Sequence, residues 1–389
     1  MISSRLPASL QPNAVARAVA DRRRAGADVI DLTESNPTRA GFNYPADLFA
    51  PLSNVRALDY DPQPLGLWPA RAAVAADFRR RGIVISADRV ALTSSTSEAY
   101  ALLFKLLCDA GDNVLVPQPS YPLFEHLTQL EAVAAHPYML DYHGAWRIDI
   151  DSVIAAATER TRAILIVSPN NPTGSILHGD DLVTLTSLAT ERDWAIMGDE
   201  VFADYQLDPA SDITHVLAQP EAITFSLGGL SKSAGLPQVK FGWIGFGGPS
   251  NKVDVILAAY ELIADTYLSV STPVQVAAAE LIQRGAPIRA QILARLHRNL
   301  DALRTATASM PQLELLRVEG GWSAVLKVPR LRSEEALVLE LLQKDDVLVH
   351  PGYFFDFASE AYLIVSLLVE PARFDQAVNR VLRRAGSPS

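Results

Sequence analysis

The chain has 389 residues, of which 49% are hydrophobic and 20% charged, and its net charge is −10. This composition excludes a disordered chain, and the length suffices for a large core and more than one domain. An acidic chain without a basic block is a poor candidate for nucleic-acid binding, so no nucleic-acid partner is expected.

The sequence also disfavours a membrane protein, a secreted protein and a metal-binding protein. No apolar run approaches transmembrane length, so no membrane association is expected. The N-terminal residues lack the apolar segment of a signal peptide, which predicts a cytoplasmic location. Seven histidines and one cysteine show no metal-ligand spacing, so no metal site is predicted.

Short strand-like runs alternate with longer helical patterns through the middle of the chain. Strand-like runs occupy 89–93, 113–117, 163–169, 194–200, 222–227 and 240–246, and helical patterns occupy 98–108, 121–132 and about 180–192. This alternation predicts an α/β fold with a mostly parallel central sheet and helices on both faces. Ligands bind at the C-terminal ends of the strands in such sheets.

From about residue 250 the pattern becomes helical, and it then mixes helices with short strands. This change predicts a second, smaller α+β domain. The expected division is an N-terminal arm and small-domain segment at 1–45, a large α/β domain at 46–270 and a small C-terminal domain at 271–389.

Three polar groups that follow strand-like runs suit one cofactor. Lys232 lies in GLSKSAG, Asp199 in MGDEVFADY and Asn171 in SPNNPTG. A desolvated lysine can form a Schiff base with an aldehyde, a carboxylate can keep a ring nitrogen protonated, and an amide can donate to a phenolate oxygen. Pyridoxal phosphate requires these three groups from a protein, so it is the predicted cofactor.

A phosphate site is predicted where the first strand-like run meets its helix. The run LTSSTSEAY places Ser95, Thr96 and Ser97 at this junction. Hydroxyls and free N–H groups at a helix start suit a phosphate dianion. The alternative is an ordinary serine or threonine helix cap.

These ordered motifs resemble the fold-type I, class I and II aminotransferases. The resemblance runs from DLTESNPT near residue 31 to about residue 380. It implies that Tyr121 stacks on the cofactor ring. It also implies that Tyr60 reaches the phosphate in the neighbouring subunit, and hence a homodimer with shared active sites.

The chain departs from that family at three positions. Lys240 stands where the family has a phosphate-binding arginine, so the charge is kept without the bidentate fork. Phe202 replaces a tyrosine that donates to the ring oxygen. Ile364, in AYLIVSLL, occupies the place of the arginine that binds the substrate α-carboxylate.

An apolar side chain cannot replace a carboxylate fork, so another cation is required. Arg39 and His350 are the candidates, because their segments border the family's substrate site, and Arg39 is favoured. Ser35 and Asn36 match the loop that closes over the substrate. The alternatives without a binding role are that Arg39 is a surface loop residue and that His350 is a histidine at a strand end.

The predicted activity is transfer of an amino group between an amino acid and a 2-oxo acid through a Schiff base on Lys232. Aromatic residues at 320–324 and 353–357, with Tyr267, favour a large neutral or aromatic substrate. A lyase, decarboxylase or racemase on the same fold is the alternative, since the usual arginine is missing at Ile364. A cofactor-binding regulator is disfavoured because no DNA-binding extension is present.

Overall fold

The computed structural model describes residues 2–7 and 11–386. Within these residues the strands are β1 (Ile30–Asp31), β2 (Val90–Thr93), β3 (Asn113–Gln118), β4 (Ala134–Tyr142), β5 (Trp146–Ile148), β6 (Thr161–Val167), β7 (Ala195–Asp199), β8 (Thr224–Gly229), β9 (Gly242–Gly247), β10 (Glu314–Leu315), β11 (Ser323–Lys327), β12 (Val347–Leu348), β13 (His350–Pro351) and β14 (Tyr362–Ser366). The α-helices are α1 (Ala14–Arg24), α2 (Trp68–Arg80), α3 (Thr96–Leu107), α4 (Leu123–Leu130), α5 (Ile150–Ala156), α6 (Gly179–Arg192), α7 (Leu230–Ser233), α8 (Ser250–Tyr267), α9 (Thr272–Ala308), α10 (Glu334–Lys344) and α11 (Pro371–Ala385).

The central sheet has eight strands in the order β2-β9-β8-β7-β6-β3-β4-β5. Strands β8, β7, β6, β3 and β4 are parallel, whereas β9, β2 and β5 pair antiparallel with their neighbours. The prediction of a mostly parallel α/β sheet is therefore confirmed. Strands β4 and β5 were not among the predicted runs, because β4 contains histidine and proline and is only partly buried near the sheet edge.

Alternate residues of the central strands pack into different cores. Val114 and Val116 of β3 belong to a cluster with α3 and α8, whereas Leu115 belongs to a cluster with α5 and α6. Successive strand side chains point to opposite faces, so a strand buried on both faces reads as a continuous apolar run. Helices therefore cover both faces of the sheet, and the polar residues at the strand ends are left to form a site.

A smaller sheet lies in the C-terminal part of the chain, with the order β10-β11-β14-β13. The N-terminal strand β1 pairs parallel with β12, which joins the start of the chain to this region. Helix α9 has 37 residues and buries apolar positions such as Leu281, Ile288 and Leu296. The domain boundaries at 1–45, 46–270 and 271–389 stay a prediction.

None of the helices in the described part of the chain is both long and apolar enough to cross a membrane.

Candidate active site

A cavity of about 310 Å³ opens at the C-terminal ends of the parallel strands. Its size falls in the lower part of the range for small-molecule sites. Most of the predicted site residues line this cavity: Ser35, Ser95, Thr96, Ser97, Tyr121, Asn171, Asp199, Lys232 and His350, together with Ile364. Residues far apart in sequence thus converge, because the ends of parallel strands share one edge of the sheet.

Lys232 lies in the short helix α7, directly after β8. Its Nζ lies 4.8 Å from the centre of the Trp322 ring and 5.6 Å from that of Phe202, and it donates to the Ser35 carbonyl at 3.5 Å. Burial lowers the pKa of the Lys232 amine to about 8. The aromatic walls shield the amine from water without a strong acceptor, so a reactive neutral amine is accessible near neutral pH.

Asp199 ends β7 and receives hydrogen bonds on both carboxylate oxygens. The Tyr100 hydroxyl donates to Oδ2 at 3.0 Å, and the Val201 N–H donates to Oδ1 at 3.3 Å. Burial raises the pKa of Asp199 to about 6, against the lowering effect of these donors. Tyr100 also lines the cavity, and the sequence analysis missed it. The available signal was its position on α3, the helix whose start was assigned to phosphate binding.

The neighbouring residues Asn170 and Asn171 make different contacts. The amide nitrogen of Asn170 donates to the Pro119 carbonyl at 3.0 Å and to Thr173 Oγ1 at 2.9 Å, which fixes the loop after β6. Asn171 lines the cavity, and its amide oxygen accepts from Ser323 Oγ at 3.5 Å. Its amide nitrogen has no protein acceptor within residues 2–7 and 11–386, which leaves a donor available to a ligand.

The start of α3 forms the opposite end of the cavity. Ser95 caps this helix by accepting from the Glu98 N–H at 3.1 Å, while the Ser94 N–H donates to the Glu98 carboxylate at 2.5 Å. The first N–H groups of a helix have no intrahelical acceptor, and they carry partial positive charge. Gly242 closes this end: an added Cβ would approach Thr93 Oγ1 at 3.0 Å and the Ser95 carbonyl carbon at 3.1 Å.

The cavity therefore contains the groups that pyridoxal phosphate requires. It offers a partly buried amine, a partly buried carboxylate, an uncommitted amide donor and a hydroxyl-rich helix start. Phe202 also lines the cavity. Tyr205 does not: it is fully buried, and its hydroxyl donates to the Lys232 carbonyl at 2.6 Å.

The wall next to Lys232 is largely apolar and aromatic. It contains Trp322, Phe355 and Ile364, with His350 and Ser366. Ser366 is committed to another contact, because its hydroxyl donates to the Glu34 carbonyl at 2.6 Å. This contact ties the loop that contains Ser35 to strand β14.

Several predicted residues lie outside the cavity wall. Asn36 instead caps a short helix by accepting from the Thr38 N–H at 3.1 Å. Arg39 and Lys240 are exposed, and Lys240 has a left-handed backbone with φ of 58°. Tyr60 is 66% exposed. Their binding roles stay predictions.

Tyr267, which the sequence analysis placed near a substrate pocket, is also exposed and outside the wall. Its ring lies 5.3 Å from Lys105 Nζ. The aromatic character of the cavity comes instead from residues such as Trp322 and Phe355.

Comparisons with known proteins find aminotransferases. The family model "Aminotransferase class I and II" matches residues 64–381. A glutamate–pyruvate aminotransferase, AlaA, of Haemophilus influenzae is 25% identical over 92% of this chain and 91% of its own length. An alanine aminotransferase of Mycobacterium bovis is 28% identical over 87% of this chain and 81% of its own.

Solved structures show the same fold. An alanine aminotransferase from Pyrococcus furiosus has a TM-score of 0.87 and 24% identity over 98% of this chain and 99% of its own. An aminotransferase from Escherichia coli has a TM-score of 0.86 and 22% identity over 100% and 98% of the two chains. The lyase, decarboxylase and racemase alternative is not favoured by these matches. The chain belongs to the class I and II aminotransferase family, enzymes that use pyridoxal phosphate to move an amino group between an amino acid and a 2-oxo acid.

Proposed function

We propose that Lys232 is the catalytic base of this transaminase and that Asp199 pairs with the ring nitrogen of its cofactor. The observation that carries this proposal is the convergence of the Lys232 amine, the Asp199 carboxylate and the Asn171 amide on one cavity. Pyridoxal phosphate, when bound, supplies a ring that accepts electrons from the substrate carbon that loses a proton.

Lys232 is suited to move that proton. Its pKa of about 8 lies close to working pH, where a general base is most effective. Two aromatic rings hold its Nζ without a strong competing acceptor. Nζ would take the proton from the substrate Cα and hold it beside the bound cofactor.

The remaining residues hold and orient the cofactor. Asp199 keeps the ring nitrogen protonated, and Tyr100 orients that carboxylate through its hydrogen bond at 3.0 Å. Asn171 would donate to the ring oxygen, and Tyr121 would cover the ring face. Ser95, Thr96 and Ser97 bind the phosphate at the start of α3, with Lys240 as an additional positive charge outside the wall.

The cavity wall favours a substrate with a neutral side chain over one with an acidic side chain. Among the described residues that line it, Lys232 and His350 are the basic ones, while Trp322, Phe355 and Ile364 supply apolar surface. Buried apolar walls disfavour a second carboxylate without a paired cation. The relatives named as alanine aminotransferases fit a neutral amino donor.

The protein acts as a homodimer with shared active sites. Support comes from exposed apolar side chains on two segments, including Val55, Leu58 and Tyr60 on one and Leu262 and Leu268 on the other. Clustered exposed apolar side chains mark association surfaces. Tyr60 is 66% exposed and free to enter a partner's site. The cytoplasmic location stays a prediction, which cell fractionation tests.

Absorbance spectra of the purified holoenzyme with successive amino acids test the activity. An amino donor is expected to change the cofactor spectrum, and a 2-oxo acid is expected to reverse that change. Loss of carbon dioxide, elimination or racemisation without such a reversible change would contradict transamination.

A further inference from the structure

The substrate end of the cavity lacks the guanidinium expected for an α-amino acid enzyme. Ile364, at the position expected for that arginine, lies on β14 with 2% exposure and forms part of the cavity wall. Its side chain has no hydrogen-bond donor, so the carboxylate must be held by another group.

Few of the described residues that line the wall have a basic side chain. Its basic members are Lys232, which the proposed chemistry requires, and His350. Ser366 is committed to the Glu34 carbonyl, and Ser323 to the Asn171 amide oxygen. Arg39, which the sequence favoured, is exposed and lies outside the wall.

His350 lies directly opposite Ile364. Strands β13 and β14 are antiparallel, and the Cα atoms of His350 and Ile364 form a paired position. Side chains directly opposite in an antiparallel pair lie on the same face of the sheet. The imidazole therefore lies on the same part of the cavity wall as Ile364, where the guanidinium was expected.

The imidazole is positioned by packing and has no protein hydrogen-bond partner. Its ring lies 5.5 Å from Phe355, edge to face, and 5.8 Å from Phe354. Within residues 2–7 and 11–386, neither ring nitrogen has a hydrogen-bonding partner. Both ring nitrogens are therefore available to hydrogen-bond a ligand in the cavity.

We propose that a ring N–H of His350 donates a hydrogen bond to the substrate α-carboxylate, in place of the guanidinium absent at Ile364. This inference rests on the proposed transamination and refines its substrate class. Burial lowers the pKa of His350, so the ring is a neutral donor near neutral pH. A single neutral donor holds a carboxylate more weakly than a bidentate fork does. The site therefore discriminates weakly between an amino acid and the matching amine without a carboxylate.

The test compares matched substrates on the holoenzyme. L-phenylalanine and 2-phenylethylamine differ only in the carboxylate. In His350→Phe the Michaelis constant for the amino acid is expected to rise roughly three- to tenfold, with that for the amine unchanged. His350→Gln keeps an N–H donor and is expected to recover part of the loss. His143→Phe, at an exposed turn, is the matched control and is expected to leave both constants unchanged.

An equal rise in the Michaelis constants for the amino acid and the amine in His350→Phe would overturn the proposal. If Arg39→Ala raised the Michaelis constant for the amino acid alone and His350→Phe did not, the carboxylate would be assigned to Arg39 and the proposal overturned. Titration calorimetry with 3-phenylpropanoate gives a readout independent of turnover: weaker binding to His350→Phe than to wild type supports the proposal, and equal binding contradicts it. A wild-type holoenzyme whose spectrum responds to no amine would instead contradict the transaminase function, while the calorimetric result would still decide the role of His350.

Discussion

Tyr100 donates a hydrogen bond from its phenolic hydroxyl to Oδ2 of Asp199, at 3.0 Å. Tyr100 is buried on α3 and Asp199 is partly buried at the end of β7, and burial raises the pKa of Tyr100 well above its ordinary value. The phenol therefore stays protonated as a donor. This contact stabilises the ionised form of a carboxylate whose burial works against ionisation.

Replacement of Tyr100 by phenylalanine is expected to reduce kcat. A hydrogen bond to a charged group contributes about 1.5–3 kcal/mol, so kcat is expected to fall roughly ten- to a hundredfold. Tyr138→Phe is the control, because that buried tyrosine donates to the Leu165 backbone carbonyl, outside the cavity. Similar kcat losses in both variants would show that Tyr100 has only a structural role.

Asp199→Ala is expected to retain some cofactor and to lose nearly all turnover, roughly 10²–10³-fold in kcat. The cofactor ring accepts electrons poorly when no anion keeps its nitrogen protonated. Steady-state rates and cofactor content, measured on the same preparation, separate binding from turnover. Asp208→Asn, at a salt bridge with Arg317, is a control away from the cavity. A wild-type rate in Asp199→Ala would reduce Asp199 to a structural residue.

Covalent attachment of the cofactor to the apoprotein is expected to depend on pH with a midpoint near 8. Burial disfavours the ammonium form of Lys232, so its amine becomes free as the pH rises through about 8, instead of through the ordinary 10.5. The attachment rate, followed by absorbance, should therefore increase between about pH 7 and 9. Borohydride reduction and peptide mapping should then locate the label at Lys232. A label at Lys240 or Lys105, or a midpoint near 10.5, would contradict the assignment.

Aspartate at both Leu58 and Leu262 is expected to shift the protein towards monomers. These side chains are 83% and 72% exposed, and charges there would oppose burial against a second subunit. Light scattering at micromolar concentration measures the change. Val183→Asp, at an exposed position of α6, is the matched control. A wild-type protein that is active as a monomer would remove both the dimer and the shared role of Tyr60.

Local patterns were sufficient for much of the fold and for many of the residues that line the cavity. Lys232, Asp199 and Asn171 each follow a strand-like run, and the apolar runs before Asp199 and Asn171 have the signature of strands buried on both faces. The topology of parallel sheets then brings such strand ends together, so convergence could be predicted without coordinates. Strands β4 and β5 escaped prediction because partial burial near the sheet edge leaves a mixed polar pattern.

Other relationships depended on long-range packing. Tyr100 and Asp199 are 99 positions apart, and no local pattern links a helix tyrosine to that carboxylate. The replacement of arginine by Ile364 was visible in the sequence, but the group facing it was not. The register of β13 against β14 decides that His350 lies opposite Ile364, and Arg39 is left exposed outside the wall. Strand register follows from burial of whole faces, so the tertiary structure alone determined which polar side chain lies opposite Ile364 in the cavity wall.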